Sequence, residues 1–278
     1  AKGALGTAAS YATSAAGAAA GWATTHEELE VAGIRVRIKQ LLGEGGFSFV
    51  YLCCAANDDT KLYALKRMLC TERDQQEMAQ REIDIWKSFP KHKNLVTFHG
   101  SSRRTGDKGP EYLMLMEHCP ESLTGHMNKR RAECRPLRTT EVYAIFADVC
   151  EGLAVLHAME PPVAHRDMKL ENVLRGADGN WKLCDFGSAT TRAKKYENKK
   201  EINDEEDRIQ RFCTPQYRAP EMCDLWSGTM VNHQVDVWAI GVLLYALAFD
   251  KLPFEDGNNL QIINARIAIP DNSPHPPK

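Results

Sequence analysis

The strongest constraint on the fold is a change of hydrophobic period part-way along the chain. Up to about Cys119 the apolar residues come in short runs at strand spacing, and beyond it they recur at helical spacing. Ile34-Arg35-Val36-Arg37-Ile38-Lys39 alternates strictly, the pattern of a half-buried strand. A glycine-rich turn, Gly43-Glu44-Gly45-Gly46-Phe47-Ser48, leads into a second strand at Phe49–Leu52. Leu62–Lys66, Leu95–Phe98 and Tyr112–Met116 read as three more strands, and the charged stretch 72–89 as the one helix among them. After Cys119, the positions Val142, Ile145, Phe146, Val149, Leu153 and Leu156 make one helical stripe. Thr140 stands where a cap would, and Pro161-Pro162 where the helix must stop. Val173-Leu174 and Trp181–Cys184 read as short strands, 188–212 as a polar loop, and Val237–Phe249 as a core helix. The expectation is an α+β chain, with a strand-rich lobe before a helix-rich lobe, joined near 117–121.

Charge and cysteine usage narrow the class. Lys and Arg number 35 against 37 Asp and Glu, a net charge of −2, which argues against a nucleic-acid binder. The longest uncharged apolar run, Val237–Phe249, has thirteen residues and is too short for a transmembrane segment. Nine cysteines occur without a CxxC pair, the usage expected of free thiols in a reducing, cytoplasmic compartment. Residues 1–21 are nearly all Ala, Gly, Ser and Thr and are expected to form a low-complexity tail, assigned to 1–25.

The glycine turn by itself is compatible with a plain hairpin. Gly43 and Gly45 lack Cβ atoms, so their backbone could also approach a phosphate closely. A Rossmann site would need a helix directly after the glycines, and a P-loop would need a Gly-Lys-Ser/Thr ending; neither is present. Lys66 adds a second clue. A charge at the end of an apolar strand is costly unless paired, and Glu82, sixteen residues on, offers a carboxylate. A lysine snorkelling from a strand end is the alternative.

Two later loops concentrate polar chemistry. His165-Arg166-Asp167-Met168-Lys169-Leu170-Glu171-Asn172 follows the long helix, and Asp185-Phe186-Gly187 follows a short strand. Either aspartate alone could be a turn residue. Their order along the chain is more demanding: glycine loop, strand lysine, helix glutamate, HRD…N, DFG, then Ala219-Pro220-Glu221.

This ordered set resembles the eukaryotic protein kinases over about residues 34–270. The resemblance implies a two-lobed fold, with a sheet-rich N-lobe at 26–117 and a mostly helical C-lobe at 118–278. It implies ATP and Mg2+ as cofactors and phosphoryl transfer to a protein hydroxyl. Lys66, paired with Glu82, would hold the α- and β-phosphates; Asp185 and Asn172 would carry Mg2+. Asp167 would accept the hydroxyl proton, with Lys169 near the γ-phosphate. The glycine loop, Gly43, Gly45 and Ser48, would cover the phosphates. Val50, Ala64 and Leu174 would sandwich the adenine, Met116 would stand behind it, and Glu117 to Cys119 would form the hinge. Trp86, Phe98, His165 and Phe186 would stack as a spine. Lys169 and Thr214 match the serine/threonine class.

A narrower resemblance is to the Numb-associated kinases, carried by Leu42–Ser48, Leu183–Thr190 and Tyr217–Met222. Ser48 replaces the usual third glycine, and the fifteen positions from Glu221 to Asp236 leave room for that family's extra helix. It implies clathrin-adaptor proteins as substrates and a place peripheral to membranes. Arg166 could receive a phosphate on Thr190, Thr191 or Tyr196, or the 188–213 segment could order itself. A catalytically silent scaffold is the competing reading; silent versions lose the strand lysine, the loop aspartate or the metal aspartate, and here Lys66, Asp167 and Asp185 all stand. The family's later helices, with an arginine that pairs the glutamate at Glu221, are expected to be missing, leaving a shortened C-lobe.

Overall fold

The computed structural model describes residues 27–45, 48–106 and 109–270. The low-complexity stretch 1–25, Gly46, Phe47 and the last eight residues lie outside them. The described chain divides into two compact units: the first runs to Lys87 and takes in Thr97–His118, and the second comprises Ser88–Val96 and the chain from Cys119.

Among the described residues the first unit is one antiparallel sheet with a single helix. Its strands are β1 (Glu28–Val31), β2 (Ile34–Glu44), β3 (Ser48–Ala55), β4 (Asp58–Leu69), β5 (Phe98–Gly106) and β6 (Gly109–Glu117), in the order β1-β2-β3-β4-β6-β5. Helix α1 (Arg73–Lys87) carries the chain from β4 to β5. Side chains alternate across a strand, so the register decides which residues share a face. Tyr51, Cys53, Leu65, Leu113 and Leu115 lie on one face and join Val36, Ile38 and Leu29 in a dry core. The other face carries a row across four strands, Gly43 opposite Val50, Val50 opposite Lys66, and Lys66 opposite Met114. Ala64 and Met116 pair two positions further along that same face.

Two expectations change here. The run Leu95–Phe98 is mostly connection: β5 starts at Phe98, and Leu95 makes only an isolated bridge to Leu183 in the second unit's own sheet. Four apolar-leaning residues satisfy strand periodicity as easily as they satisfy a buried crossing segment. Lys66 is not at a strand end either, since β4 continues to Leu69. That makes its charge still harder to leave unpaired.

At the outer side of this unit, two arginines and two glutamates close a ring. Arg67 reaches Glu27 at 3.0 Å and Glu111 at 2.8 Å, while Arg104 reaches Glu111 at 2.6 Å and Glu27 at 3.0 Å. Arg67 and Glu111 are buried. Burial pushes the Glu111 carboxyl up, but bonds from Arg67 and Arg104 outweigh it and hold it below the usual carboxylate range.

The second unit is mainly helical, with seven α-helices counted over both units among the described residues. Strands β7 (Glu121–Ser122), β8 (Val173–Arg175) and β9 (Trp181–Leu183) form its small sheet. The helices are α2 (Leu123–Ala132), α3 (Thr139–His157), α4 (Lys199–Phe212), α5 (Pro220–Cys223), α6 (Val235–Phe249) and α7 (Asn259–Ile263). The stripe read on α3 is buried at Val142, Ile145, Val149, Leu153 and Leu156, and half-buried at Phe146. Thr140 is not its cap: the helix begins at Thr139, and Glu141 reaches back to the Arg138 N–H at 2.9 Å. An acidic side chain three residues into a helix satisfies an orphan donor as a Ser or Thr cap would.

The stretch 188–212 is not simply a loop. Its second half is α4, whose Ile202, Glu205 and Ile209 face inward while its other charged residues lie toward the surface. Between Glu221 and Asp236 there is only α5 and a 3-10 turn at Leu225–Ser227, so the extra helix expected there is absent among the described residues. The helix expected near 258–267 covers Asn259–Ile263. Glu221 is half-buried, with no ion-pair partner among the described residues. No helix of the described residues is long and apolar enough to cross a membrane.

The ring of Arg67, Arg104, Glu27 and Glu111 sets an acid sensitivity. Because the folded Glu111 is held below its unfolded value, the stability it adds is complete above ordinary glutamate titration. It fades as pH falls through the depressed value. Glu111→Gln should lower the melting temperature at neutral pH, with a cost of about 3–5 kcal/mol for breaking a buried pair. The difference from the wild type should shrink in thermal melts run below about pH 4.

Candidate active site

In the first unit, the face bearing Val50, Ala64, Lys66 and Met116 is the one on which α1 packs. Glu82 is buried on α1, and its carboxylate accepts a 2.6 Å bond from the Lys66 ammonium. A strand interior and a helix thus hold one ion pair in place. Trp86, the last buried residue of α1, packs at a tilt on Phe98 with ring centroids 5.1 Å apart. The glycine turn closes through a 2.7 Å bond from the Gly45 N–H to the Ser48 carbonyl. Above Gly43 the space is open: a Cβ there would meet nothing within 4 Å, so packing does not demand glycine at that position. Glu117 accepts from the Thr97 N–H at 3.1 Å, fixing the end of β6 from which Glu117 leads to Cys119.

The second unit gathers its predicted residues around Asp167. One carboxylate oxygen accepts from the Lys169 ammonium at 2.6 Å and from the Asn172 amide at 3.1 Å. The other accepts from the Thr214 hydroxyl at 2.7 Å and from the Thr214 N–H at 3.2 Å. Lys169 also donates to the Thr214 hydroxyl at 3.1 Å, so the four side chains form one closed network. Asn172 donates again to the Asp167 carbonyl at 2.8 Å. Its NH2 is therefore committed to Asp167, which leaves the amide oxygen to face elsewhere.

Asp185 is joined to this group through the backbone. The N–H of Cys184 donates to the Asn172 carbonyl at 3.1 Å, and His165 Nε2 lies 3.0 Å from the Cys184 carbonyl. Asp185 itself is exposed and has φ +60°, a left-handed conformation that a non-glycine residue adopts only at a cost. Arg166, at φ +68° on the earlier loop, is a second such residue. Phe186 is fully buried, tilted against His165 at 5.3 Å and edge-on to Phe89 at 4.8 Å. Leu174 sits half-buried on β8, beside this loop. Asp185 and the Asn172 amide oxygen are hard donors that suit Mg2+, which keeps much of its own water and needs few protein ligands. No cluster of three or more His, Cys, Asp or Glu side chains competes as a metal site among the described residues.

Two residues that sequence reasoning passed over hold these loops. Asp236, buried in the first turn of α6, accepts from the N–H of His165 at 2.7 Å and of Arg166 at 2.8 Å, with His157 Nε2 at 3.0 Å. The signal was present in the sequence as a lone carboxylate at the head of an apolar run. Glu205 is the second. Its carboxylate, buried on α4, accepts from Arg166 at 3.0 Å and Arg192 at 3.4 Å. The i, i+3, i+7 spacing of Ile202, Glu205 and Ile209 could have revealed it. Tyr196, one of the candidate phosphorylation positions, is buried; Thr190 pairs its backbone with Ala164; Thr191 is exposed. Arg218 finishes the segment by donating to the carbonyls of Cys213 and Ile209 at the end of α4.

Residues 36–275 match the protein kinase domain family. The chain belongs to that family. Among curated proteins, a probable serine/threonine-protein kinase of Dictyostelium discoideum is 43% identical over 88% of this chain and 30% of its own length. A second from the same organism is 39% identical over 89% of this chain and 22% of its own. The serine/threonine-protein kinase ppk30 of Schizosaccharomyces pombe is 37% identical over 87% of this chain and 25% of its own. This kinase domain therefore spans under a third of the length of the relatives it matches.

The internal carboxylate on Arg166 makes a test. Glu205→Ala strands a buried guanidinium and should cost about 3–5 kcal/mol. It should show as a lower melting temperature and faster protease cleavage within 188–212. Phosphatase treatment of the wild-type domain should leave its cleavage pattern unchanged.

Proposed function

We propose that this domain transfers the γ-phosphate of ATP, with Mg2+, to serine and threonine hydroxyls of protein substrates. The observation that carries this reading is the closed network of Asp167, Lys169, Asn172 and Thr214. ATP supplies the phosphoryl group and Mg2+ neutralises charge on its oxygens; what the chain must add is positioning and electrostatic stabilisation. Lys66, held by Glu82, would hold the α- and β-phosphates. Gly43, Gly45 and Ser48 would offer backbone to them. Val50, Ala64 and Met116 in the first unit and Leu174 in the second are the apolar residues that would take the adenine, and Glu117 to Cys119 would provide backbone groups for its polar edge. Asp185 and the Asn172 oxygen would hold Mg2+.

Asp167 orients the attacking hydroxyl and takes its proton at a carboxylate oxygen. Lys169 brings positive charge beside that oxygen, where negative charge builds on the transferring group. Thr214 bonds both, and so ties the substrate-facing segment to the catalytic loop. A lysine in this position and a threonine bonded to the catalytic aspartate support serine/threonine over tyrosine as acceptor.

Within the kinases, Ser48 and the stretches Leu183–Thr190 and Tyr217–Met222 favour the Numb-associated group, and with it clathrin-adaptor substrates in the cytoplasm at membrane surfaces. The self-ordered segment around α4 fits that placement. The 3-10 turn after α5, in place of the added helix, does not.

Incubation with radiolabelled ATP and a generic basic protein should label serine and threonine but not tyrosine. Lys66→Met and Asp167→Asn should each reduce incorporation by at least about a hundredfold. Equal labelling by all three proteins would sink the enzymatic reading. For the finer one, purified clathrin-adaptor complex should be labelled at defined sites well above an unrelated acidic protein.

A further inference from the structure

The second unit carries a groove that takes no part in the proposed chemistry. It lies between the C-terminal turn of α2 and the end of α6 and encloses about 240 Å3. Its floor is apolar, made by the buried Met127, Leu137 and Leu247. Its rim is cationic. The last turn of α2 contributes Arg130 and Arg131, and the chain then turns through Cys134, at φ +52°, to bring in Arg135. Arg131 and Arg135 are 49% and 67% exposed.

We propose that this groove docks an acidic segment of a partner protein and seats one aliphatic side chain on its floor. Size gives the first argument. Small-molecule sites usually enclose about 300–1,000 Å3, so this one suits a side chain better than a whole cofactor. Charge gives the second. Residues 129–138 hold five cations, while the local carboxylates are Glu133, Glu141 and Asp250. Glu141 is already bonded to Arg130 at 2.8 Å and to Arg138 at 3.1 Å, and Glu133 to Arg135 at 3.2 Å. The lining itself sets Arg130, Arg131 and Arg135 against the one carboxylate of Asp250, an excess of two positive charges on a chain whose net charge is −2. A charged rim around an apolar floor is how protein surfaces combine anchoring with selection.

Asp250 acts as the groove's internal competitor. Its two oxygens accept from Arg131 at 2.7 and 2.8 Å, in a forked pair that is half exposed. The pair is half exposed, so an incoming carboxylate can compete with Asp250 for the same guanidinium fork. A single-stranded nucleic acid would also be drawn to the cations. It would want aromatic platforms, and none of the lining residues is aromatic.

The experiment uses a fluorescein-labelled peptide in which aspartates and glutamates flank two leucines, with a lysine-substituted version as control. In anisotropy titrations the acidic peptide should bind the domain, more weakly as salt rises, and the lysine version should not. The double change Arg131→Glu with Arg135→Glu should weaken binding about tenfold or more. Asp250→Asn should do the reverse and tighten it, a sign that general destabilisation would not produce. Saturating peptide should slow alkylation of the exposed Cys134 by iodoacetamide, read by peptide mass mapping. Asp167→Asn should bind like the wild type, which separates this inference from the catalytic one. Equal binding of the lysine peptide, no change in either groove variant, unprotected Cys134, or tighter binding of an oligothymidylate would each overturn the proposal.

Discussion

The second unit depends on one buried carboxylate. Asp236 sits in the first turn of an apolar helix and takes the N–H groups of His165 and Arg166, which no strand or helix could satisfy. A buried backbone donor without a partner costs about 1–3 kcal/mol, so without Asp236 the loop would have to open toward water. With it, the chain can hold Arg166 at positive φ and deliver Asp167 into its network. Everything that Lys169, Asn172 and Thr214 do there follows from a loop made rigid from beneath. The same logic governs the first unit, where Lys66 in a strand interior is fixed by Glu82 on α1.

Much of this was legible in the sequence, for a physical reason. Strand alternation and a 3.6-residue stripe are local signals, and so β2 to β4, β6, α1, α3 and α6 were each foreseen within a few residues. Side chains whose chemistry is dear to bury, such as Lys66 and Asp167, also announce themselves. The failures are the places where a local pattern underdetermines a tertiary role. Leu95–Phe98 has the composition of a strand but is divided between the two units. Thr140 has a capping residue's chemistry, yet the helix starts one residue before it and Glu141 reaches back to the Arg138 N–H instead. The polar composition of 188–212 concealed α4, because a helix with only three inward positions in fourteen looks like a loop until its spacing is measured.

The two carboxylates that were overlooked share a feature. Asp236 and Glu205 bind no ligand in the proposed reaction; they hold His165, Arg166 and Arg192, the neighbours in the chain and in space of the residues that would. Their signal is geometric, a single charge on the buried side of an otherwise apolar or amphipathic helix, and it has no motif of its own. Motif reading finds groups that meet a substrate. Finding the groups beneath them requires asking what each buried donor bonds to.

The pairing of Arg166 with Glu205 has a consequence in time. A carboxylate carried by a side chain of the segment is in place once α4 folds, whereas a phosphate ester would come and go. The Arg166–Glu205 contact is thus written into the chain and needs no modification to form.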